Sequence, residues 1–164
     1  MKILLDSVNE WNLKTVMEIE RSSFSLSEAA SISAMKQRQH QIPETFLGAF
    51  VNFQLVGFIV GPAISRRYLT DDLFSNVTKN FSANQAPYQA VLSLAVTPAY
   101  RKKGIASQLL QALIAQAKAA GRQGVTLTCL PTLITFYQKN GFQDEGIAES
   151  KHADETWHNL FLQL

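Results

Sequence analysis

The chain lacks most of the features that would narrow its chemistry at once. Its 164 residues hold a single cysteine, Cys129, so no intramolecular disulfide can form and a reducing, cytoplasmic setting is expected. The histidines, His40, His152 and His158, are too scattered for a local zinc motif, and no metal is expected. No apolar run approaches the length of a membrane span, and the opening MKILLDSVNEW lacks the apolar core of a signal peptide. The formal net charge is only +2, with no basic stripe interleaved with aromatics, so neither nucleic acid nor a membrane is expected as a partner. Neither GxxxxGK[ST] nor GxGxxG occurs, which removes the usual nucleotide fingerprints.

What is present suits a globular domain with a sizeable core: 46% hydrophobic and 17% charged residues. Ile3 to Leu5 reads as a first strand. Asn9 or Ser7 caps a helix over Glu10 to Ser22, with Trp11, Leu13, Val16, Met17 and Ile19 largely on one face. A second helix is expected from Ser27, with Glu28 as a first-turn carboxylate, to about Arg38. Thr45 to Val51 and Leu55 to Val60 flank Asn52-Phe53-Gln54 and read as an antiparallel hairpin closed by Gly61-Pro62. Ile64 to Pro87 is irregular, and a binding loop or lid competes there with disorder; Leu73-Phe74 and Phe81 are its candidate tethers. Thr156 to Leu164 alternates and reads as a closing strand.

The stretch from Ala90 to Gln108, AVLSLAVTPAYRKKGIASQ, carries the chemistry. A strand-like run from Val91 to Val96 meets a turn at Thr97-Pro98, then Arg101, Lys102, Lys103 and Gly104 open a long alanine- and leucine-rich helix. A helix mouth of this kind exposes unpaired N–H groups and partial positive charge, which binds phosphate. Three cations beside it point to a polyphosphate, although an ordinary surface turn with solvated lysines is the alternative. Downstream, Val125 to Cys129 reads as a buried strand. Leu133 to Phe142 has helical spacing and stops at Asn140-Gly141.

Arg101-Lys102-Lys103-Gly104-Ile105-Ala106 after Val96-x-Pro98 resembles the acetyl-coenzyme A signature of the GNAT N-acetyltransferases, and Phe136-Tyr137…Gly141-Phe142 resembles their second signature. The resemblance implies an α/β (α+β) fold over a single domain, 1–164. Its mixed, mostly antiparallel sheet would have about seven strands, flanked by about four helices and splayed between strands 4 and 5. Within the family the chain is similar to the arylalkylamine (serotonin) branch, through Ile19-Glu20-Arg21…Phe24, Phe24 to Ser31, Phe46 to Phe50, Leu55 to Gly61 and Cys129…Phe142. It departs from the vertebrate members, which carry two histidines where this chain has Ala90 and Leu92. It is closer in this to non-vertebrate and bacterial members, in which a glutamate of the early helix is the suspected base.

The implied activity is acetyl transfer from acetyl-CoA to a small primary amine, arylalkyl or polyamine-like, by direct attack. A protein or peptide acceptor, or a non-catalytic acyl-CoA sensor, is the alternative, and a monomer or homodimer is expected. An alkylamine with a pKa near 10 is neutral in roughly one molecule per thousand at pH 7, so a base must accept a proton at or before attack. The implied roles are Tyr137 as the acid at the thioester sulfur and Glu28 as the base, directly or through water. Glu28 at a helix start would have its pKa depressed, which weakens it as a base. Glu20 reads as a solvated charge beside Arg21. Leu94, Ala95 and Val96 are expected to pair with the pantetheine arm through their backbone. Arg101, Lys102, Lys103, Gly104, Ile105, Ala106 and Ser107 are expected around the pyrophosphate. Phe24, Leu26, Glu28 and Phe46, with Phe50 and Phe58, are candidates for the amine pocket. Cys129, in an apolar strand, reads as structural, and His152 and His158 as surface residues.

Overall fold

The first segments form where apolar spacing and capping agree. In the computed structural model, which describes residues 1–164, the Asn12 side chain accepts from the Asn9 N–H at 2.9 Å. The 3₁₀ turn Glu10–Asn12 runs straight into a helix, α1, Leu13–Ser23. Leu13, Val16, Met17 and Ile19 are buried along one side of α1, while Trp11, still in the turn, is 79% exposed. The second helix, α2, spans Ile32–Gln41, so it starts five residues after the expected Ser27 and ends three residues past Arg38. Ser31 is its cap, with the Oγ accepting from Ala34 N–H at 3.0 Å. Ser27 and Glu28 belong to the preceding turn, so Glu28 receives nothing from a helix dipole.

The strands are β1 (Leu4–Ser7), β2 (Phe46–Val51), β3 (Gln54–Val60), β4 (Ala63–Ile64), β5 (Tyr88–Val91), β6 (Ser93–Val96), β7 (Gly124–Cys129), β8 (Gln143–Ile147) and β9 (His158–Gln163). Two further helices are α3 (Ile105–Ala119) and α4 (Ile134–Lys139). The strands form one sheet in the order β1-β2-β3-β6 and a second in the order β4-β5-β7-β9-β8. Every pairing is antiparallel except β5 with β7. The count exceeds the expected seven because the sheet's central strand is interrupted at Leu92 and a two-residue β4 is added. The β2–β3 turn is tighter than expected: Asn52 and Phe53 alone form it, both with positive φ, which suits the right-handed twist of the strands.

Helices cover both faces. Phe46, Phe58, Val60 and Ala95 pack under α1 and α2, whereas Ala49, Val51, Val56, Ile59 and Val96 pack against Leu109, Leu110 and Leu113 of α3. Strand alternation produces this division. Burying each such leucine is worth about 1.5–3 kcal/mol, so α3 is held chiefly by its apolar face. No helix is long and apolar enough to cross a membrane.

The break at Leu92 creates the site. Leu92 N–H donates to Val60 C=O at 2.8 Å, yet Val60 pairs in register with Ser93, so Leu92 is an extra residue that bends the strand. Before it, Tyr88–Val91 pairs in parallel with residues 124–127; after it, Ser93–Val96 pairs with β3 alone. A gap therefore opens between β6 and the end of β7, which is the expected splay between the fourth and fifth long strands. Gly61 lies where the two sheets part, and a Cβ there would sit 1.9 Å from the Ala90 carbonyl oxygen. The Ile64–Pro87 segment is anchored. Asn80 Oδ1 accepts from Ala63 N–H, Gln37 Oε1 accepts from Val77 N–H, and Arg38 donates to the Phe74 carbonyl. Phe74 is a tether as expected; Phe81, 40% exposed, engages mainly through its carbonyl, which accepts from Arg122.

Candidate active site

The gap presents two sets of backbone groups. Thr97 N–H donates to Val56 C=O at 2.8 Å, so the alternation of an antiparallel strand turns the N–H and C=O of Val96 and Leu94 away from β3 and toward the gap. The Leu94 side chain is half-buried, and Ala95 and Val96 are core residues. At the mouth of α3 the first helical bond is Gln108 N–H to Gly104 C=O at 3.1 Å. The N–H groups of Ile105, Ala106 and Ser107 precede it and have no partner of their own in the helix. Gly104 caps the helix with φ +81°, and nothing lies within 4 Å of where its Cβ would be. The cradle is thus open, and it fits a diphosphate flanked by Lys102 and Lys103, both exposed.

Arg101 is placed differently from its two neighbours. Its Nε donates to Val96 C=O at 2.9 Å, and its Nη2 donates to Ser22 C=O and Ser23 Oγ. The guanidinium therefore ties β6 to the end of α1 rather than standing free beside the cradle.

Tyr137 lies on α4, 7% exposed, between the edges of Phe136 and Phe142 at 5.0 and 5.6 Å. Burial pushes its phenol well above the usual range, with Cys129 adding to the effect, so it stays protonated throughout the neutral range. Asn140 joins α4 to the cradle, donating to Ser107 Oγ and to Phe136 C=O and accepting from Gln111. Cys129 is buried, and burial pushes its thiol up to about 12.

A cavity of about 550 Å³ opens from the gap; Tyr137, Leu92, Leu94, Cys129, Phe24, Glu28, Glu20, Phe74 and Trp157 are among the residues that line it. Its roof is made by two distant segments. Asp71 accepts from Ser150 Oγ at 2.5 Å and from Lys151 N–H at 3.1 Å, and Phe74 stacks on the His152 ring at 4.6 Å. His152 Nε2 also meets Glu28 C=O at 3.2 Å, so this histidine belongs to the cavity wall and not to the outer surface. His158 lies elsewhere, against Asp144 at 3.1 Å.

Of the residues the sequence offered for the amine pocket, Phe24 and Glu28 line the cavity. Leu26 does not: it is 94% exposed at the tip of the turn after α1. Phe46 does not either, because its strand position points it into the core, where it packs on Phe58 at 5.9 Å. Phe58 is core too, and Phe50 borders a separate surface hollow beside Phe53. Glu28 is half-buried, and its carboxylate accepts from Ser25 Oγ at 2.7 Å.

Glu20, which the sequence offers only as a poorer candidate base and a solvated charge, is buried instead. It is 2% exposed, and its Oε2 accepts from Ala30 N–H at 2.8 Å and Ser93 Oγ at 3.3 Å. Desolvation raises its carboxyl above the usual range, against the lowering effects of the Ala30 bond, the Arg38 charge and Ser93. Arg38 is 1% exposed and donates to Phe74 C=O at 2.9 Å and to Ser93 Oγ at 3.4 Å; burial lowers it to about 10. The one local signal was the position of Glu20 next to Ile19 on the buried stripe of α1.

Comparison with known proteins agrees with this arrangement. The family model described as "Acetyltransferase (GNAT) domain" matches residues 43–144. Serotonin N-acetyltransferase of Mesocricetus auratus is 31% identical over 137 residues, which are 80% of this chain and 63% of that enzyme, so the chain spans less than two thirds of its length. The crystal structure of Ard1 from Thermoplasma volcanium matches with a TM-score of 0.79 at 20% identity, covering 100% of this chain and 99% of that one. Arabidopsis thaliana Naa50 in complex with a bisubstrate analogue, CoA-Ac-MVNAL, matches with a TM-score of 0.73 at 17% identity over the whole of both chains. The bent central strand, the open cradle at the mouth of α3 and a family match over more than half of the sequence lead to one conclusion: the chain belongs to the GNAT acetyltransferase family.

Proposed function

We propose that the chain is an acetyl-CoA-dependent N-acetyltransferase that acts on a small primary amine in a ternary complex. The observation that carries this reading is the cavity at the end of the strand gap, lined by both a protonated phenol and carboxylates. Its volume of about 550 Å³ lies within the roughly 300–1,000 Å³ usual for small-ligand sites. Phe24, Phe74 and Trp157 supply apolar walls, and Glu20, Glu28 and Asp71 outnumber Arg38, which suits an amine that arrives as a cation. The Asp71–Ser150 and Phe74–His152 contacts draw two distant segments together beside the cavity and narrow it, which favours a compact amine over an extended peptide.

The chain's own groups divide the work. The α3 amides with Lys102 and Lys103 hold the diphosphate, and the backbone of Leu94 and Val96 aligns the pantetheine arm as an added strand. Tyr137 directs its hydroxyl to the sulfur and stabilises the departing thiolate by a hydrogen bond or a proton. A carboxylate of the acceptor wall receives the proton of the amine; Glu28 is the one the sequence singled out.

Purified protein mixed with acetyl-CoA and separate panels of arylalkylamines, polyamines and short peptides tests this, with free-thiol release as the readout. Turnover with small amines is expected. Turnover confined to the peptides would overturn the acceptor class, and acetyl-CoA binding without turnover on any panel would leave a sensor.

A further inference from the structure

On the reading that the chain acetylates a small amine, we propose that Glu20, and not Glu28, receives the substrate's ammonium group and takes its first proton. The two carboxylates differ in what they lack. Glu28 is only half-buried and its Oε1 already accepts from Ser25 Oγ, so its carboxylate keeps access to solvent. Glu20 is almost fully buried, lines the cavity, and has one oxygen, Oε1, with no hydrogen-bond partner. A buried carboxylate oxygen without a donor is costly, and native structures keep one only where something else supplies the donor. An ammonium entering the cavity supplies it.

The surroundings hold Glu20 in that state. Ala30 N–H and Ser93 Oγ fix Oε2, which leaves Oε1 as the free acceptor. Arg38, whose charge acts on Glu20, directs its Nη groups to Phe74 C=O, Ser93 Oγ and Met35 Sδ; its buried Nε is left without a partner, and it forms no ion pair with Glu20. Ser93 follows the bulge at Leu92, where the gap opens, so Glu20 reaches the place where acceptor and donor must meet. The other titratable groups on the cavity wall are Glu28, Asp71, Cys129, Tyr137 and His152. Burial also raises the Glu20 carboxyl above the usual range, in keeping with a proton-accepting role.

The step balances. R–NH₃⁺ gives one proton to the Glu20 carboxylate; the neutral nitrogen forms the C–N bond as the C–S bond breaks. The nitrogen's second proton matches the one the sulfur gains at Tyr137. One proton then leaves Glu20 for solvent, so the net change is R–NH₃⁺ plus thioester to amide, thiol and H⁺.

The test compares wild type, Glu20→Gln and Glu28→Gln with phenethylamine as acceptor across pH 6 to 10. Glu20→Gln is expected to lose about a hundredfold in kcat/KM near pH 7, with KM for the amine raised. The deficit should shrink as pH approaches the amine's own pKa near 10, because the free amine then needs no base. Coenzyme A affinity by calorimetry should be unchanged, and Glu28→Gln should lose less than tenfold. Independently of any variant, wild type should bind phenethylamine at least tenfold more tightly than neutral 2-phenylethanol. A wild-type pH profile in Glu20→Gln, a loss equal at every pH, or equal affinity for the two probes overturns the assignment. Acetylation of peptides but of no small amine by wild type overturns the acceptor class beneath it instead.

Discussion

Replacing Tyr137 by phenylalanine separates chemistry from packing more cleanly than any other change in the cavity. The ring is held by edge contacts to Phe136 and Phe142, which phenylalanine keeps. The hydroxyl contributes no side-chain hydrogen bond to the fold, and burial together with the neighbouring Cys129 holds its pKa up. Its removal should therefore change stability by no more than about 1 kcal/mol, whereas Tyr137→Ala would cost about 3–5 kcal/mol as large aromatic truncations do. The catalytic effect should be much larger. A thiolate with a pKa of roughly 8.5 leaves without a donor in the variant, and acid assistance of this kind is worth about 10²-fold or more, or about 2.7 kcal/mol of barrier. Steady-state kinetics should show kcat down by about a hundredfold, with the calorimetric Kd for coenzyme A within twofold and Tm nearly unmoved. Wild-type kcat in Tyr137→Phe at every pH would refute the acid role; a matching loss of coenzyme A affinity would make Tyr137 a packing residue of the cosubstrate site.

Three further outcomes follow from named contacts. Gly104→Ala should cost about 1–2 kcal/mol, read as a lower Tm, because φ is +81° although the Cβ itself meets nothing; Gly104→Glu should in addition weaken coenzyme A binding more than tenfold by calorimetry. Cys129→Ala should keep kcat within about threefold, since a buried thiol held near 12 is not a nucleophile at neutral pH; an acetylated Cys129 in a mass spectrum of protein and acetyl-CoA alone would contradict direct transfer. Arg67 holds Glu145 below its usual range through a fork at 2.7 and 2.9 Å. The stability this pair adds is present above the unfolded carboxyl's pKa of about 4.3 and is lost as pH falls, so Arg67→Gln should flatten the acid limb of Tm against pH below about 4.5. The pair is only half-buried and solvent screens it, so the effect should stay under about 1 kcal/mol.

The sequence by itself determined what depends on near neighbours along the chain. The strand, turn and helix around Gly104, the two-strand hairpin, the apolar stripes of α1 and α3, and Tyr137 before the Asn140-Gly141 stop are all set by periodicity, capping and turn chemistry over a few residues. The tertiary structure decided what depends on residues brought from afar. Glu20 looked like a solvated charge because its burial comes from Ala30 and Ser93, 10 and 73 positions away, and from Arg38 of α2. His152 entered the cavity wall through Phe74 and Glu28, and Arg101 left the cation cluster for the end of α1, through contacts equally remote in sequence. Phe46 and Leu26 exchanged a supposed pocket for core and solvent, because hydrophobic character gives a residue's preference for burial but not the surface that buries it. Hydrogen bonds and desolvation act over a few ångströms of space whatever the separation along the chain, so the charge state of a buried carboxylate is settled only once the sheets and helices have met.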